Sequence, residues 1–485
     1  MKNISTLAVR IAALCLVLCL ALAITACDSR QTNDDELVLR VYNWQDYIND
    51  GTNEDNQKVD KSVMELWEED YESRTGIKVR VQYDTFETNE TMLNTLRTGK
   101  TQYDLVCPSD YIIQKMLIET QSGTEQNIMI EKYDLSKLPN YVANVSPYIR
   151  HLFDKNGWLD YAIGYMWGTV GIVYNPEAVA LEDVSTWDIL WNPEYENATS
   201  CKDTSRDAYV IGLLKVYGDE LRANRAAYDS GEITADELQA RTHEIVNRVD
   251  DNSIALVEEA LKEMKENIYE FEVDTGKSDI VTGKIAANVA WSGDAVYAMD
   301  LAEEEDDMYL DFVVPEEGST VWFDGWVMPK GANVELAQDF VNFMCSPEIA
   351  AMNQDFIGYT SVIAGDDIFD LVTEWYDDEE GDIDYDLSYF FEGTLSDDRL
   401  TDGKAIVRTS EVNRQLMTQY PSTEVTARCG VMEDFGDQNE KVLAAWGRVK
   451  GASLPVGVYV IIGVVLVALI AAVVLLGPGK KKKRR

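Results

Sequence analysis

Three tryptophans are each followed closely by an aspartate at places where the sequence predicts the end of a strand. The pairs are Trp44 with Asp46, Trp291 with Asp294, and Trp322 with Asp324. An indole ring attracts a cation by about 0.5–2 kcal/mol. A carboxylate gives an ammonium group a charge-assisted hydrogen bond once that group has left water. One such pair is common beside a turn, but three pairs at comparable positions indicate an aromatic box with acidic walls for an organic cation.

Other kinds of chemistry have less support in the sequence. Two histidines, His151 and His243, leave little room for a histidine-based triad or a zinc site. No twelve-residue calcium loop, glycine-rich phosphate loop or nucleophile elbow is present in the sequence. A surface carbohydrate binder or a carboxylate-pair glycoside hydrolase stays open, because aromatic rings and acids also suit sugars. We therefore predict a binding protein without metal or cofactor, with the sugar-directed functions as the alternative.

The balance of charge excludes nucleic acid as a partner. The chain has 42 lysines and arginines against 86 aspartates and glutamates, which gives a net charge of −44 at pH 7. Such a molecule repels phosphate backbones. The chain has 485 residues, of which 46% are hydrophobic, so it can bury a large core. At this length, two domains or lobes are expected.

The first part of the body alternates between strand and helix patterns. The predicted order is a strand over 37–42, a helix ending at Gly76, a strand over 77–83, a helix ending at Gly99 and a strand over 103–107. This order predicts an α/β fold with right-handed crossovers and a largely parallel sheet. Ligands bind beyond the carboxyl ends of such strands. Segments 44–47 and 108–111 are therefore expected at the same edge of the sheet, where a ligand would bind.

The same pattern recurs further along the chain. A strand over 285–290 runs into 291–294, and a strand over 312–315 precedes 321–324. Segment 217–279 is highly charged with helical spacing, as in 235–249 and 254–269. We predict that this segment is a solvated helical insertion.

The two ends of the sequence predict attachment to a membrane. Residues 1–26 have the charged start and apolar run of an export signal. Segment 24–27 resembles a bacterial lipobox, in which Cys27 would be acylated, and 27–36 is a polar tether. The uncharged run 456–476 is long enough to cross about 30 Å of hydrocarbon as a helix, and the basic tail 480–485 would stay in the cytoplasm. The body is thus expected on the extracellular or periplasmic side of the cell membrane.

Four cysteines remain in the body, and their spacing fits no zinc site. They are Cys107, Cys201, Cys345 and Cys429. Three disulfide pairings are possible, but Cys107 lies within an apolar strand pattern and is expected to be a packed free thiol. The fold is not expected to depend on disulfides.

Several motifs, taken in order, resemble the spermidine/putrescine-binding proteins of ABC importers, which are extracellular solute-binding proteins. The motifs are 42–47, 87–92, 103–111, 165–168, 187–191 and 357–359. The resemblance runs from about residue 37 to 450, with insertions near 50–60 and 217–279. Because several motifs occur in one order, it is far more specific than any single motif.

This resemblance implies a two-lobed, type II periplasmic-binding fold with mixed, largely parallel sheets that closes on a linear polyamine. The first lobe would comprise 37–167 and 322–368, and the second 168–321 and 369–450. The chain would cross between the lobes near 167, near 321 and after 359. The implied partners are a polyamine, a membrane permease and its cytoplasmic ATPase.

The resemblance also implies a set of ligand-binding residues. They are Trp44, Asp46, Tyr47, Ser109, Tyr111, Asp207, Trp291, Asp294, Trp322, Asp324 and Tyr359. Thr204 stands where the spermidine-type member has a ligand-facing aspartate, whereas Asp294 resembles the putrescine-type member. The length of the polyamine therefore stays open.

These residues suggest how the lobes would close. The three indoles would pack on methylenes and ammonium groups, and the four acids, Asp46, Asp207, Asp294 and Asp324, would hold the charged ends. Closure without ligand would dehydrate like charges and raise carboxylate pKa values, and a cationic ligand reverses that. Closure is then a population shift toward a form that docks on the permease.

Overall fold

The computed structural model of the protein describes residues 36–53, 57–122, 129–306 and 308–451. Within these ranges, no helix combines the length and the apolar character that crossing a membrane requires. The predicted export signal, Cys27, the spanning run 456–476 and the basic tail 480–485 all lie outside the described residues.

The strands form two extended sheets and a hairpin. They are β1 (Glu36–Trp44), β2 (Lys78–Phe86), β3 (Leu105–Val106), β4 (Ile163–Tyr174), β5 (Thr199–Lys202), β6 (Glu270–Glu272), β7 (Ala287–Trp291), β8 (Asp311–Val313), β9 (Ser319–Trp326), β10 (Thr360–Ser361), β11 (Ile383–Asp386), β12 (Ile406–Thr409) and β13 (Cys429–Val431). The first sheet has the order β2-β1-β3 and the second β13-β9-β4-β7-β5-β6, with β8 and β10 also paired to β4. The hairpin consists of β11 and β12.

The first sheet is parallel, as the alternation of strands and helices predicted. β1 pairs with β2 along its full length and with β3 near its end. The helices that follow β1 and β2 both end at a glycine in the left-handed conformation, Gly76 and Gly99, also as predicted. β3 is shorter than the predicted strand.

A fully buried strand, β4, joins the two lobes. Its first part, 163–169, pairs with β9, and its second part, 170–174, pairs with β7. Isolated bridges from Val106 to Val327 and from Ser109 to Asp324 connect β9 to the first sheet. We call the part built on β1–β3 the first lobe and the part built on β5–β8 the second lobe. β4 is antiparallel to each of β7, β8, β9 and β10, so the second sheet is mixed, as expected, while the first is parallel.

Helices cover the sheets. The longer ones are Val63–Thr75, Asn89–Thr98, Asp110–Gln121, Ser205–Val216, Gly218–Asp229, Ala235–Val246, Asp251–Asn267, Ser292–Asp306, Val334–Met344, Pro347–Ile357, Asp366–Tyr376 and Asn439–Lys450. The shorter ones are Pro139–Asn144, Pro147–Lys155, Leu181–Val184, Thr275–Val281, Ser388–Phe391, Gln415–Gln419 and Thr423–Ala427. Together they give the two-lobed α/β architecture that was expected.

The helical segment 217–279 is not simply a solvated insertion. Helix Asp251–Asn267 packs against Ser205–Val216 and Asn439–Lys450. Its residues Val257, Leu261 and Met264 are buried. The segment is helical, as predicted. The expectation of a solvated segment was wrong for this helix, because its many charged residues hide an apolar stripe on one face, which is enough to place the helix on the core.

The cysteines of the body are unpaired thiols. Cys107, Cys201, Cys345 and Cys429 are all free and buried. This agrees with the packed thiol expected at Cys107 and with a fold that does not depend on disulfides.

Candidate functional site

Asp324 is a buried carboxylate held by hydroxyl groups. Ser109 Oγ donates to its Oδ1 at 2.7 Å, and Tyr47 OH donates to its Oδ2 at 2.9 Å. The residue is 7% exposed. Burial raises its pKa to about 6, although both hydrogen bonds favour the ionised form. Within the described ranges, Asp324 forms no ion pair with lysine or arginine.

Trp322 and Asp324 lie inside β9 rather than after a strand end, which corrects the prediction. They are two residues apart, so both side chains leave the same face of the strand. The indole of Trp322 donates from Nε1 to the carbonyl oxygen of Thr169 at 3.3 Å. This bond fixes the ring against β4, the strand that joins the lobes.

Ser109 and Tyr111 are oriented by a residue that the sequence reasoning missed. Ser109 is the N-cap residue of helix Asp110–Gln121. Asn89 Nδ2 donates to Ser109 Oγ and to Tyr111 OH, each at 3.1 Å. Tyr111 OH also donates to Glu90 Oε1 at 3.3 Å. Asn89 and Glu90 belong to motif 87–92, so the signal was present in the resemblance but was not assigned to the site.

Asp294 is the second buried carboxylate of the site. It lies in the first turn of helix Ser292–Asp306, directly after β7, and is 4% exposed. Tyr359 OH donates to its Oδ1 at 2.8 Å. Lys202 Nζ lies 3.0 Å from Oδ2, and Lys277 Nζ lies 3.4 Å from Oδ1. Burial opposes ionisation, but the two lysines hold the pKa of Asp294 below its ordinary value.

Lys202 is the second residue that the sequence reasoning missed. It is the last residue of β5 and is fully buried. Its ammonium group lies 4.4 Å from the centroid of the Trp291 ring and 3.1 Å from Glu272 Oε1. The rule that ligand-facing residues follow strand ends would have found Lys202, but β5 was not predicted.

Aromatic rings connect the two carboxylates. The ring centroid of Tyr359 lies 5.5 Å from that of Tyr47 and 5.6 Å from that of Trp322. Because Tyr47 donates to Asp324 and Tyr359 to Asp294, the two rings link one acid to the other. The structure therefore brings Tyr47, Trp322 and Tyr359 together with both acids.

Asp207 is a third buried carboxylate, and Trp291 and Lys202 are near enough to lower its pKa. It lies in the first turn of helix Ser205–Val216, and Thr204 Oγ1 donates to its Oδ2 at 2.5 Å. Burial raises its pKa, and the hydrogen bond from Thr204 opposes that rise. In the described part of the chain, its buried Oδ1 has no hydrogen-bond partner. The neighbouring Arg206 places its guanidinium 5.2 Å from the ring centroid of Tyr111.

The structure does not bring Asp46 into this set. Asp46 is exposed, has a φ of 51°, and contacts the side-chain amide of Gln45. The left-handed turn after β1 carries it into solvent, so the buried acid expected here is not found. Trp44 ends β1, is half-buried, and packs against Phe86 with ring centroids 4.5 Å apart.

The arrangement suits the binding of an organic cation. It offers indole and phenol rings beside buried carboxylates, and each of these features stabilises a desolvated ammonium group. Within the described ranges, no group of histidine, cysteine, aspartate and glutamate side chains is suited to hold a metal ion.

The sequence matches a family model and several characterised proteins. The model for bacterial extracellular solute-binding proteins matches residues 67–368. The spermidine/putrescine-binding periplasmic protein of Escherichia coli (strain K12) is 31% identical over 329 residues, which cover 67% of this chain and 78% of that protein. The putrescine-binding periplasmic protein SpuD of Pseudomonas aeruginosa (strain UCBPP-PA14) is 31% identical over 354 residues, covering 71% and 83%.

A solved structure gives the same result. The spermidine/putrescine ABC transporter substrate-binding protein PotD from Streptococcus pneumoniae aligns with a TM-score of 0.55 and 25% sequence identity. The alignment covers 85% of this chain and 98% of PotD. Sequence and fold agree, and the chain belongs to the bacterial extracellular solute-binding proteins, a family of transport components rather than enzymes.

Proposed function

We propose that this protein is the extracellular polyamine-binding component of an ABC import system. It would bind putrescine or spermidine between its two lobes and deliver the amine to a membrane permease that is driven by a cytoplasmic ATPase. The relatives that carry polyamine-binding names support this ligand class.

One observation carries the proposal. Asp324 is buried, accepts hydrogen bonds from Tyr47 and Ser109, and has a pKa raised to about 6 by burial. A buried carboxylate without a cationic partner is unfavourable, and an ammonium ligand removes that cost. Trp322, on the same face of β9, offers a ring surface for the methylenes of the ligand.

The proposed ligand-binding residues include others besides Asp324. The set comprises Trp44, Tyr47, Ser109, Tyr111, Asp207, Trp291, Asp294, Trp322, Asp324 and Tyr359. Asp46, which the resemblance also implies, is left out of this set because its side chain is exposed.

Closure would couple ligand binding to transport. Tyr359 precedes β10, which pairs with the part of β4 nearer the first lobe, whereas Asp294 follows β7 of the second lobe. The hydrogen bond between them therefore joins the lobes. A ligand that contacts both sides favours the closed form by its differential affinity. Lobe boundaries at 167/168, 321/322 and 368/369 are part of this proposal.

Two membrane attachments complete the proposal. An acylated Cys27 would anchor the N-terminus after removal of residues 1–26, and a helix over 456–476 would cross the membrane with tail 480–485 in the cytoplasm. Such attachment would hold the binding lobes near the permease at high effective concentration. Deleting residues 454–485 should lower amine uptake, and unchanged uptake would argue against this role.

A thermal-shift screen tests the ligand class. Putrescine and spermidine should raise the melting temperature of the full-length protein, because a ligand that binds the folded state stabilises it. Neutral sugars and amino acids should not. Stabilisation by sugars without any effect of amines would favour the carbohydrate-binding alternative and defeat the proposal.

A further inference from the structure

A buried lysine of the protein occupies an ammonium-binding environment in the site. Lys202 Nζ lies 3.0 Å from Asp294 Oδ2 and 4.4 Å from the ring centroid of Trp291. It also contacts Glu272 Oε1 at 3.1 Å and the carbonyl oxygen of Val273 at 3.0 Å. A ring face with carboxylate and carbonyl oxygens is the environment that suits a ligand ammonium.

Lys202 thus neutralises the charge of Asp294 with a cation that belongs to the protein itself. Lys277 adds a second cation 3.4 Å from the same carboxylate. A ligand ammonium at Asp294 would therefore meet two like charges, and such a contact is unfavourable at a desolvated site.

In the part of the chain that the structure describes, two other buried acids are not paired with lysine in the way that Asp294 is. Asp324 and Asp207 form no ion pair with lysine or arginine among the described residues, and Oδ1 of Asp207 has no hydrogen-bond partner there. Lys202 and Arg206 lower the pKa of Asp207 from a greater distance, but burial outweighs them and the pKa stays above its ordinary value, unlike that of Asp294. Arg206, next to Asp207, places its guanidinium over the rings of Phe435 and Tyr111, at 3.5 Å and 5.2 Å from their centroids. Thr204 contributes a hydroxyl group rather than a charge to Asp207.

We propose that Lys202 takes the place of one ligand ammonium at Trp291 and Asp294, so that the site selects a diamine over a triamine. Asp324 and Asp207, which form no ion pair with lysine or arginine in the described part of the chain, hold the two ends of the diamine. This scheme rests on the proposed function and changes it at one point: Trp291 and Asp294 hold Lys202 instead of a ligand ammonium, so Lys202 is a specificity-determining residue. It answers the question of polyamine length that the sequence left open.

Titration calorimetry on the full-length protein with putrescine and spermidine tests the inference. The unmodified protein should bind putrescine at least tenfold more tightly than spermidine. Lys202→Met should reduce that ratio at least tenfold, because it removes the nearer and fully buried of the two cations at Asp294 and leaves space there for a third ammonium group. The double variant Lys202→Met/Glu272→Gln removes one charge of each sign and should reduce the ratio in the same direction. If Lys202→Met does not fold, this double variant tests the inference in its place.

Lys284→Met is the matched control. Lys284 is also paired with an aspartate, Asp279, and lies 4.4 Å from the ring centroid of Tyr269, but it is 42% exposed. This variant should keep the ratio of the unmodified protein. Amine binding without a preference for putrescine, or an unchanged ratio in the folded Lys202 variants, overturns this inference alone. If neither amine binds the unmodified protein, the proposed function fails and the inference fails with it.

Discussion

Asp324 is the residue on which amine affinity should depend most strongly. Asp324→Asn keeps the size of the side chain but removes the charge that an ammonium group would neutralise. We expect putrescine binding to weaken by roughly 2–5 kcal/mol, as is usual when one partner of a buried charge pair is removed. Titration calorimetry measures the change.

The control for this variant is an aspartate of similar chemistry on the surface. Asp160 pairs with Lys132 at 2.9 Å, and both side chains are about 60% exposed. Asp160→Asn should therefore leave affinity unchanged. Equal affinity of Asp324→Asn and the unmodified protein would remove Asp324 from the site.

The raised pKa of Asp324 predicts a pH-dependent affinity. With the pKa at about 6, the ligand-free carboxyl group takes up a proton as the pH falls through 6, whereas a bound ammonium favours the carboxylate. Affinity for putrescine should therefore be constant above pH 7 and fall by up to about tenfold per pH unit below 6. Calorimetry between pH 5 and 8 measures this dependence. Asp324→Asn should flatten the profile, and a profile that stays steep in this variant would assign the proton to another group.

The same group affects stability with the opposite sign. The folded protein binds a proton at Asp324 more tightly than the unfolded chain does, because burial raises the pKa above its ordinary value. Between about pH 6 and pH 4, the contribution of Asp324 to the free energy of unfolding should thus increase as the pH falls. Urea unfolding of the ligand-free protein and of Asp324→Asn at pH 4.5 and 7 would isolate this contribution.

Residue types and spacing were sufficient to find the acids but not their partners. The spacing of Trp291 with Asp294 and of Trp322 with Asp324 predicted two carboxylates that the structure brings into one cluster. Lys202 could not be paired with Asp294 from the sequence, because the contact depends on β5 lying beside β7. Asp46 does not join this cluster for a local reason, since a left-handed turn places its side chain in solvent.

At the scale of elements, β4 positions the site through a glycine. A Cβ atom at Gly168 would lie 2.7 Å from Cζ2 of Trp322 and 2.2 Å from Oγ of Ser292. The hydroxyl of Ser292 can rotate away, but the indole is fixed by its bond to Thr169. The absence of a side chain at this position therefore allows Trp322 to pack closely against β4.

Gly168→Ala should disturb both stability and binding. We expect a loss of about 1–3 kcal/mol in the free energy of unfolding, the usual cost of overpacking, and weaker putrescine binding because Trp322 must move. Chemical unfolding and calorimetry measure the two effects. Gly447→Ala is the control, since a Cβ there meets open space within helix Asn439–Lys450 and should change stability by no more than about 1 kcal/mol. If Gly168→Ala behaves like this control, the proposed packing role of Gly168 is wrong.

Local signals determined which elements could be predicted. Period-two alternation and terminal glycines identified β1, β2 and the two helices that end at Gly76 and Gly99. β4 is buried at each of its twelve positions, so it carries no alternation that would show which strands flank it. Its antiparallel pairing with four neighbours, and hence the mixed character of the second sheet, depends on contacts distant in sequence.

At the scale of the whole molecule, polar contacts outside the site should tune closure where they join the first lobe to the segment that the proposed boundaries assign to the second lobe. Helix Asp110–Gln121 of the first lobe carries Gln114 and Lys115, which both reach Asp434, a residue that follows β13. Gln114 Oε1 accepts from the backbone N–H of Asp434 at 2.6 Å, and Lys115 Nζ lies 3.4 Å from its Oδ2. Lys115 and Asp434 are 24% and 7% exposed, so solvent screens this pair only in part.

Lys115→Ala should shift the equilibrium between open and closed forms without altering the amine-binding residues. The loss of one partly buried ion pair, worth about 1 kcal/mol, should weaken putrescine binding roughly three- to tenfold, because the closed form becomes less populated at each ligand concentration. Small-angle scattering over a putrescine titration should show the radius of gyration falling on binding, with a higher midpoint in the variant and the same end value. Lys132→Ala, which removes an exposed pair with Asp160 in the same lobe, should keep the original midpoint. A radius of gyration that does not respond to putrescine would exclude closure as the response to ligand, whereas equal midpoints for the two variants would show that the contact at Asp434 does not tune it.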